Sequence, residues 1–415
     1  MANSEFEKYL EKYAQVIMKI GLNVQPGQRV FLRAWVENVD FVHVLIEQAY
    51  KAGASFVDVL WDDEQSRLIR FKHAPKDSFG LYSKFRTDAL TEAGERADAM
   101  LSMSAPDPTL LLEQDPDLVQ VFQKAQFEMN KPWSHLVRNR LINWAGIGVP
   151  TKGWAAKVFP DADPEEQIAR LWDLIFDLCR IKTDDPIQAW EDHVADLAAR
   201  TTFFNDNKFA ALKLTAPGTD LTVGLPDGQL WRSARMESVA GFASVVNIPT
   251  EETFTMPHRE QVNGTVTATK PLNVRGMMFI DKFSVTFKDG KVVDAKAEVG
   301  EKHLLNLLEN DEGARYLGEI ALVPHSSPIS QSGRLLYNTL YDENASCHIA
   351  LGSAYRFSVE GGEAMSPEEF KAAGGNSSLI HTDFMIGSDQ MDIDGITTGG
   401  ETVPVMREGE WAFEV

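Results

Sequence analysis

Cysteine is nearly absent from this chain: its 415 residues hold two, Cys179 and Cys347. They stand far apart, one in a helix-like segment and one beside His348, which excludes a disulfide framework and fits a reducing cytoplasm. No run approaches the about 18 apolar residues of a membrane span. The N-terminus passes straight into the charged segment Ser4-Glu5-Phe6-Glu7-Lys8 without an apolar h-region, so the expectation is a soluble, unexported, cytoplasmic protein. Basic residues are outnumbered, 40 Lys and Arg against 61 Asp and Glu, for a net charge of −21. Nucleic acid and anionic membrane surfaces are poor partners for such a chain, because binding there relies on clustered cations that release counterions. The acidity suits cationic or neutral substrates, and solubility alone also accounts for it. His-Glu-x-x-His is missing, which excludes a one-helix zinc protease. Neither a Gly-x-x-x-x-Gly-Lys-Ser/Thr loop nor a Gly-x-Gly-x-x-Gly turn occurs, so nucleotide-dependent chemistry has no support. There is no internal repeat, low-complexity tract or long Gly/Ser linker.

The length allows two or three domains and burial of roughly 75% of the unfolded surface, enough for a large core without staples. In the first half, Ser4 and Glu7 form a capping-box pattern ahead of a helix with Phe6, Tyr9, Tyr13, Val16, Ile17 and Ile20 on one side. A short strand at Val30-Phe31-Leu32, a helical stripe of Val42, Leu45, Ile46 and Ala49 closing at Gly53, and a strand at 56–61 predict a parallel βαβ unit. Residues 99–103 and 141–145 extend that sheet, and Asp163-Pro164-Glu165-Glu166 starts a further helix through Ile168, Leu171, Trp172, Ile175 and Leu178. After about residue 205 the texture turns to β, with strands at 210–214 and 220–223 and a hairpin signal at Lys288-Asp289-Gly290-Lys291. The expectation is an α/β fold: an N-terminal α/β domain with a largely parallel sheet over 1–205, and a C-terminal mixed α+β domain over 206–415 that carries the chemistry.

That chemistry is densest near the C-terminus. In Ile380-His381-Thr382-Asp383-Phe384-Met385-Ile386 a histidine and an aspartate alternate with other residues at strand spacing, so both project from one face. A solitary pair of this kind is more often solvated than metallated, and its company decides. Glu251 and Glu252 follow an apolar run, Glu319 starts one, and Glu343 and His348 flank Asn344-Ala345-Ser346-Cys347. Carboxylates set in apolar sequence must be paired or coordinated once buried. Four carboxylates and two imidazoles, from Glu252, Glu319, Glu343, His348, His381 and Asp383, suit zinc, cobalt or manganese, and this many carboxylates point to two ions sharing a bridge. Cys347 beside His348 invites a thiol-nucleophile reading, but adjacent strand residues face opposite ways, and a small core residue is the better reading. His258 and His325 have no ligand partner at local spacing. They read as hydrogen-bonded structural residues, with a place on a pocket wall as the other option.

The stretches NIPTEETFTMPHREQVNGTVTATKPL (247–272), GEIALVPHSSPISQSG (318–333), YDENASCHIALGSAY (341–355) and HTDFMIGSDQMDIDGI (381–396) closely resemble the metallo-aminopeptidases of the aminopeptidase T and aminopeptidase S type. The likeness runs along the whole chain, including GASFVDVLWDD at 53–63, with its sharp motifs between about 245 and 395. It implies metal ligands at Glu252, the second acid of the Pro-Thr-x-Glu motif, and at Glu319, Glu343, His348, His381 and Asp383. It also implies Tyr355 at the catalytic centre, a homodimer, and peptides with a free N-terminus as substrates. Glu251 stands as the alternative to Glu252, and Glu343 as ligand, general base or both. In the mechanism this suggests, water activated by two divalent ions attacks the peptide carbonyl, Glu343 shuttles the proton, and Tyr355 donates a hydrogen bond to the oxyanion. The competing readings are a non-catalytic metal-stabilised peptide- or ligand-binding protein and a metal-dependent hydrolase of other small amides. The complete ligand set favours the peptidase.

Overall fold

A computed structural model describes residues 2–104, 107–274 and 278–415. The chain divides into two compact units, the first formed by residues up to His193 together with Arg235–Pro249, the second by Val194–Ala234, Thr250–Val274 and Met278–Val415.

In the first unit, helix α1 spans Ala2–Val16. It starts ahead of Ser4, which therefore lies inside the helix and not at its cap as the sequence pattern suggests. The predicted stripe is buried at Tyr13, Val16, Ile17 and Ile20. Strand β1 (Arg29–Trp35), helix α2 (Val39–Lys51) and strand β2 (Phe56–Asp62) form the expected βαβ unit, with β1 and β2 parallel in register from Arg29↔Phe56 to Trp35↔Asp62. Val42, Leu45 and Ala49 of α2 are buried, as the i, i+3, i+7 spacing requires. Strands β3 (Ala99–Ser104) and β4 (Trp144–Gly148) follow, and the two-residue strand Asn247–Ile248 pairs with β4. The order is β2-β1-β3-β4 and then Asn247–Ile248, every neighbour parallel. Strand β4 begins at Trp144, not at Leu141. Ile142 packs into a local apolar cluster, and the buried Asn143 amide donates to Leu22 O at 2.6 Å and accepts from Gln28 at 2.7 Å, while its carbonyl takes the first bond from β3, Met100 N at 3.0 Å.

Among the described residues the second unit holds two antiparallel sheets. The larger has nine strands and includes the hairpins Ala211–Ala216/Thr219–Gly224 and Met278–Lys288/Lys291–Val299. At the tip of the latter, Asp289 and Gly290 both take positive φ, 49° and 78°, the type I′ geometry that the Asp-Gly pair predicts. A Cβ on Gly290 would lie 1.7 Å from Arg259 O, so only glycine fits. The smaller sheet has the order Thr253–Thr255, Leu317–Leu322, His348–Gly352, His381–Met385. One apolar core serves both, taking Leu212, Leu221, Val266 and Phe283 from the larger sheet and Ile320, Leu322, Ile349, Leu351 and Phe384 from the smaller. The smaller sheet therefore has one core face and one face left for polar side chains.

Candidate metal centre

Alternation along the four short strands sorts their residues onto those two faces. Ile349 and Leu351 enter the core, so His348 and Ala350 face the other way, and Phe384 enters the core, so Asp383 faces the other way with His381. Glu319 pairs with Ala350, and Ala350 with Asp383, which sets the three in one lateral row. The register slips between Leu317 and Glu319, with Gly318 as the extra residue. This bulge lets Leu317 join Leu351 in the core while Glu319 faces the polar side. A Cβ on Gly318 would meet Ser353 O at 2.4 Å. In the edge strand Phe254 pairs with Ala321, so Glu252, two residues earlier, falls on the polar side. Cys347, as expected, faces the core, its Sγ 3.3 Å from Val323 O.

The result is two triads of ligand-type atoms that share one residue: Glu252, Glu319 and His348, and Glu319, His381 and Asp383. His348 Nε2 lies 3.1 Å from Glu252 Oε2 and 3.6 Å from Glu319 Oε1. His381 Nε2 lies 3.4 Å from Asp383 Oδ1 and 3.7 Å from Glu319 Oε2. Glu252 Oε2 and Asp383 Oδ1 are buried yet accept no hydrogen bond of proper geometry. Buried carboxylate oxygens without a donor are costly, and a divalent cation supplies what they lack, so the residues present fit such an ion. Oxygen and imidazole donors together suit a borderline metal. His381, Thr382 and Asp383 are half-buried, so this side of the cluster is reached by solvent.

Several contributors carry no sequence signal. His348 Nδ1 lies 3.2 Å from Ser346 O and His381 Nδ1 lies 2.7 Å from Ser353 O. A carbonyl only accepts, so each Nδ1 donates and each Nε2 is turned toward the carboxylates, the orientation that a metal-binding histidine needs. Asn344 Oδ1 accepts the backbone N–H of Glu251 at 2.7 Å, which ties the Glu251-Glu252 segment to the turn Glu343–Ala345. Ala350, fully buried between Glu319 and Asp383, leaves the hollow into which their side chains reach.

The remaining candidates are near but distinct. Glu343 and Glu251 belong to neither triad. Burial, with Asp383 and Glu252 as repelling neighbours, holds the Glu343 carboxyl well above the usual carboxylate range. The ring of Tyr355 lies 5.0 Å from that of His381, and burial together with Glu319 and Asp383 pushes its hydroxyl well above the ordinary tyrosine value, so it stays a donor. Burial opposes a charged His348, but contact with Glu252 and Glu319 outweighs it and raises the imidazole well above its ordinary value. His381, likewise opposed by burial, is pushed up to about 10 by Asp383. Burial also raises the Glu319 carboxyl against the pull of His348 and His381. His258 and His325 stay outside: His258 Nδ1 accepts the Glu260 N–H at 3.2 Å, and His325 Nδ1 meets Ser330 Oγ at 3.3 Å.

A polar sheet face that gathers carboxylates and imidazoles around one shared glutamate, with a glutamate and a tyrosine beside it, has the donor set of a metal-dependent enzyme. The chain belongs to the thermophilic metalloprotease (M29) family, whose profile matches residues 6–411. It is 45% identical to Aminopeptidase 2 of Geobacillus stearothermophilus over 412 residues, 99% of this chain and 100% of that one. It is 42% identical to Aminopeptidase AmpS of Bacillus subtilis over 98% of this chain and 99% of that one. The solved structure of wild-type AmpT from Thermus thermophilus superposes with a TM-score of 0.93 at 40% identity, covering 98% of this chain and 100% of that chain. The family indicated by the motifs between 247 and 396 is thus the family found. Among the described residues no helix is long and apolar enough to cross a membrane.

Proposed function

We propose that this metalloprotease is an aminopeptidase that holds two divalent cations, zinc, cobalt or manganese, and releases N-terminal residues from peptides with a free α-amino group. The carrying observation is Glu319: its Oε1 faces His348 and its Oε2 faces His381, so one carboxylate is common to both triads and would help hold each ion. Glu252 and His348 would complete one ion's ligands, and His381 and Asp383 the other's, with Glu343 adjoining both. Bound divalent ions supply Lewis acidity toward a peptide carbonyl and lower the pKa of water from 15.7 toward about 7. Glu343, outside both triads, is assigned the proton: bound cations would offset the burial and the neighbouring carboxylates that hold its carboxyl high, so that it could take a proton from the attacking water and pass it to the departing amine. Tyr355 Oη donates to the carbonyl oxygen as negative charge builds there, a contact that strengthens toward the transition state. The four carboxylates give the substrate's ammonium a counter-charge, which places the free amino end beside the reacting bond. A cytoplasmic homodimer acting on peptides completes the proposal, by the family likeness and the scarcity of cysteine.

The test is a time course by mass spectrometry on a peptide and its N-acetylated twin, in metal-loaded protein. Loss of one residue at a time from the free peptide, and resistance of the blocked one, is the expected outcome. Rapid internal cleavage, or equal hydrolysis of both, would overturn the aminopeptidase assignment and leave a metal-dependent hydrolase of another kind. Chelation should abolish turnover and Co²⁺, Zn²⁺ or Mn²⁺ should restore it.

A further inference from the structure

Tyr355 stands on an irregular turn, yet its ring is held from two sides. Phe357 stacks on it with ring centroids 5.0 Å apart and planes 13° apart, and Phe254 meets it edge-on at 6.3 Å. Phe254 and Phe357 are themselves in edge contact at 6.4 Å, and both are buried. Packing of this kind fixes a ring's tilt only if the backbones carrying the rings are fixed to each other.

Arg232 makes that connection. Its backbone forms an isolated antiparallel bridge with Phe254, Arg232 N donating to Phe254 O at 2.8 Å and Phe254 N donating to Arg232 O at 2.9 Å. Its guanidinium, through Nε at 3.1 Å and a terminal nitrogen at 3.0 Å, grips the carbonyl of Phe357. One residue thus binds the segment that carries Glu252, two residues before Phe254, to the turn that carries Tyr355, two residues before Phe357. We infer that Arg232 is a positioning residue, which locks the Phe254–Phe357 wedge and so aims the Tyr355 hydroxyl at the carboxylate–imidazole cluster. The inference rests on the role given to Tyr355 under the proposed function. A fork of two charge-assisted donors on one acceptor resists rotation where a single flexible donor does not.

The experiment compares Arg232→Met, Arg232→Lys, Tyr355→Phe and the Arg232→Met/Tyr355→Phe pair, each loaded with metal and analysed for metal content. Arg232→Met should lower kcat by about 10- to 100-fold with KM little changed and metal content intact, since a misplacement near 1 Å costs about that much. Arg232→Lys, which keeps the backbone bridge and one donor, should recover part of the loss. In the double variant the loss should not exceed that of Tyr355→Phe alone, because a group that acts only through the tyrosine has nothing left to aim. A purely structural role predicts multiplied losses and lower metal content, and either result overturns the inference. Wild-type kcat in Arg232→Met or Arg232→Lys beside an impaired Tyr355→Phe overturns it alone. Wild-type kcat in Tyr355→Phe overturns the tyrosine's assigned role and the inference with it. Should Arg232→Met fail to fold, Arg232→Lys and its pair with Tyr355→Phe carry the same comparison.

Discussion

Glu319 and Asp383 are both register partners of Ala350, one from each side, so they stand two strands apart in a single row across the sheet. Strand spacing puts their backbones roughly 10 Å apart, and both side chains lean inward over the one methyl group between them. The two triads meet in that hollow.

Ala350→Leu should therefore abolish metal binding while the fold survives. A larger side chain fills the space that Glu319 and Asp383 share, at an overpacking cost of about 1–3 kcal/mol. Elemental analysis should find little metal in a protein whose circular dichroism is unchanged, and full metal content with wild-type turnover would refute the hollow's role.

Removing the shared carboxylate should differ from removing an unshared one. Glu319→Ala is expected to lose both ions, whereas Asp383→Ala or His381→Ala should lose one and keep the other, all three losing far more activity than stability. Stoichiometry by elemental analysis after dialysis distinguishes the cases. One ion per chain in the wild type would contradict the two-ion proposal.

Cys347→Ser should remain active. Burial pushes the thiol up to about 11, and its Sγ sits on the core side against Val323 O, so no thiolate reaches the cluster at neutral pH. A stability loss of about 1 kcal/mol is expected from a polar atom placed in the core. Inactivity in a folded, metal-loaded sample would revive a thiol mechanism.

Glu64, at the start of the helix Glu64–His73, offers a pH test at a residue of the first unit. Burial raises its carboxyl from an ordinary 4.5 to about 7, Asp107 and Glu37 adding repulsion while the Asp107 N–H and Arg67 pull the other way. The folded protein holds this proton more tightly than the unfolded chain. Its stabilising contribution is thus full below about 4.5 and is lost as the pH rises to about 7. Glu64→Gln cannot ionise, so its unfolding midpoint relative to wild type should rise between about pH 5 and about pH 8. A constant difference across that range would show that Glu64 titrates normally.

By itself the sequence determined what rests on short-range periodicity and on residue chemistry. The alternation of His381 with Asp383, the α2 stripe, the Asp289-Gly290 turn and the motifs between 247 and 396 are local patterns, and local backbone geometry realises them directly. Strand β4 shows the limit: Gly146 and Gly148 have weak strand propensity, and pairing with β3 on one side and Asn247–Ile248 on the other makes the segment a strand. The same holds at the site. Which of Glu251 and Glu252 joins a triad, that Gly318 bulges so that Glu319 faces His348, that Ala350 spaces Glu319 from Asp383, and that Ser346 O and Ser353 O turn the imidazoles were decided by the tertiary structure. Each depends on the register between strands distant in sequence, and register is a property of the packed sheet: one residue of slip would send every one of these side chains to the opposite face.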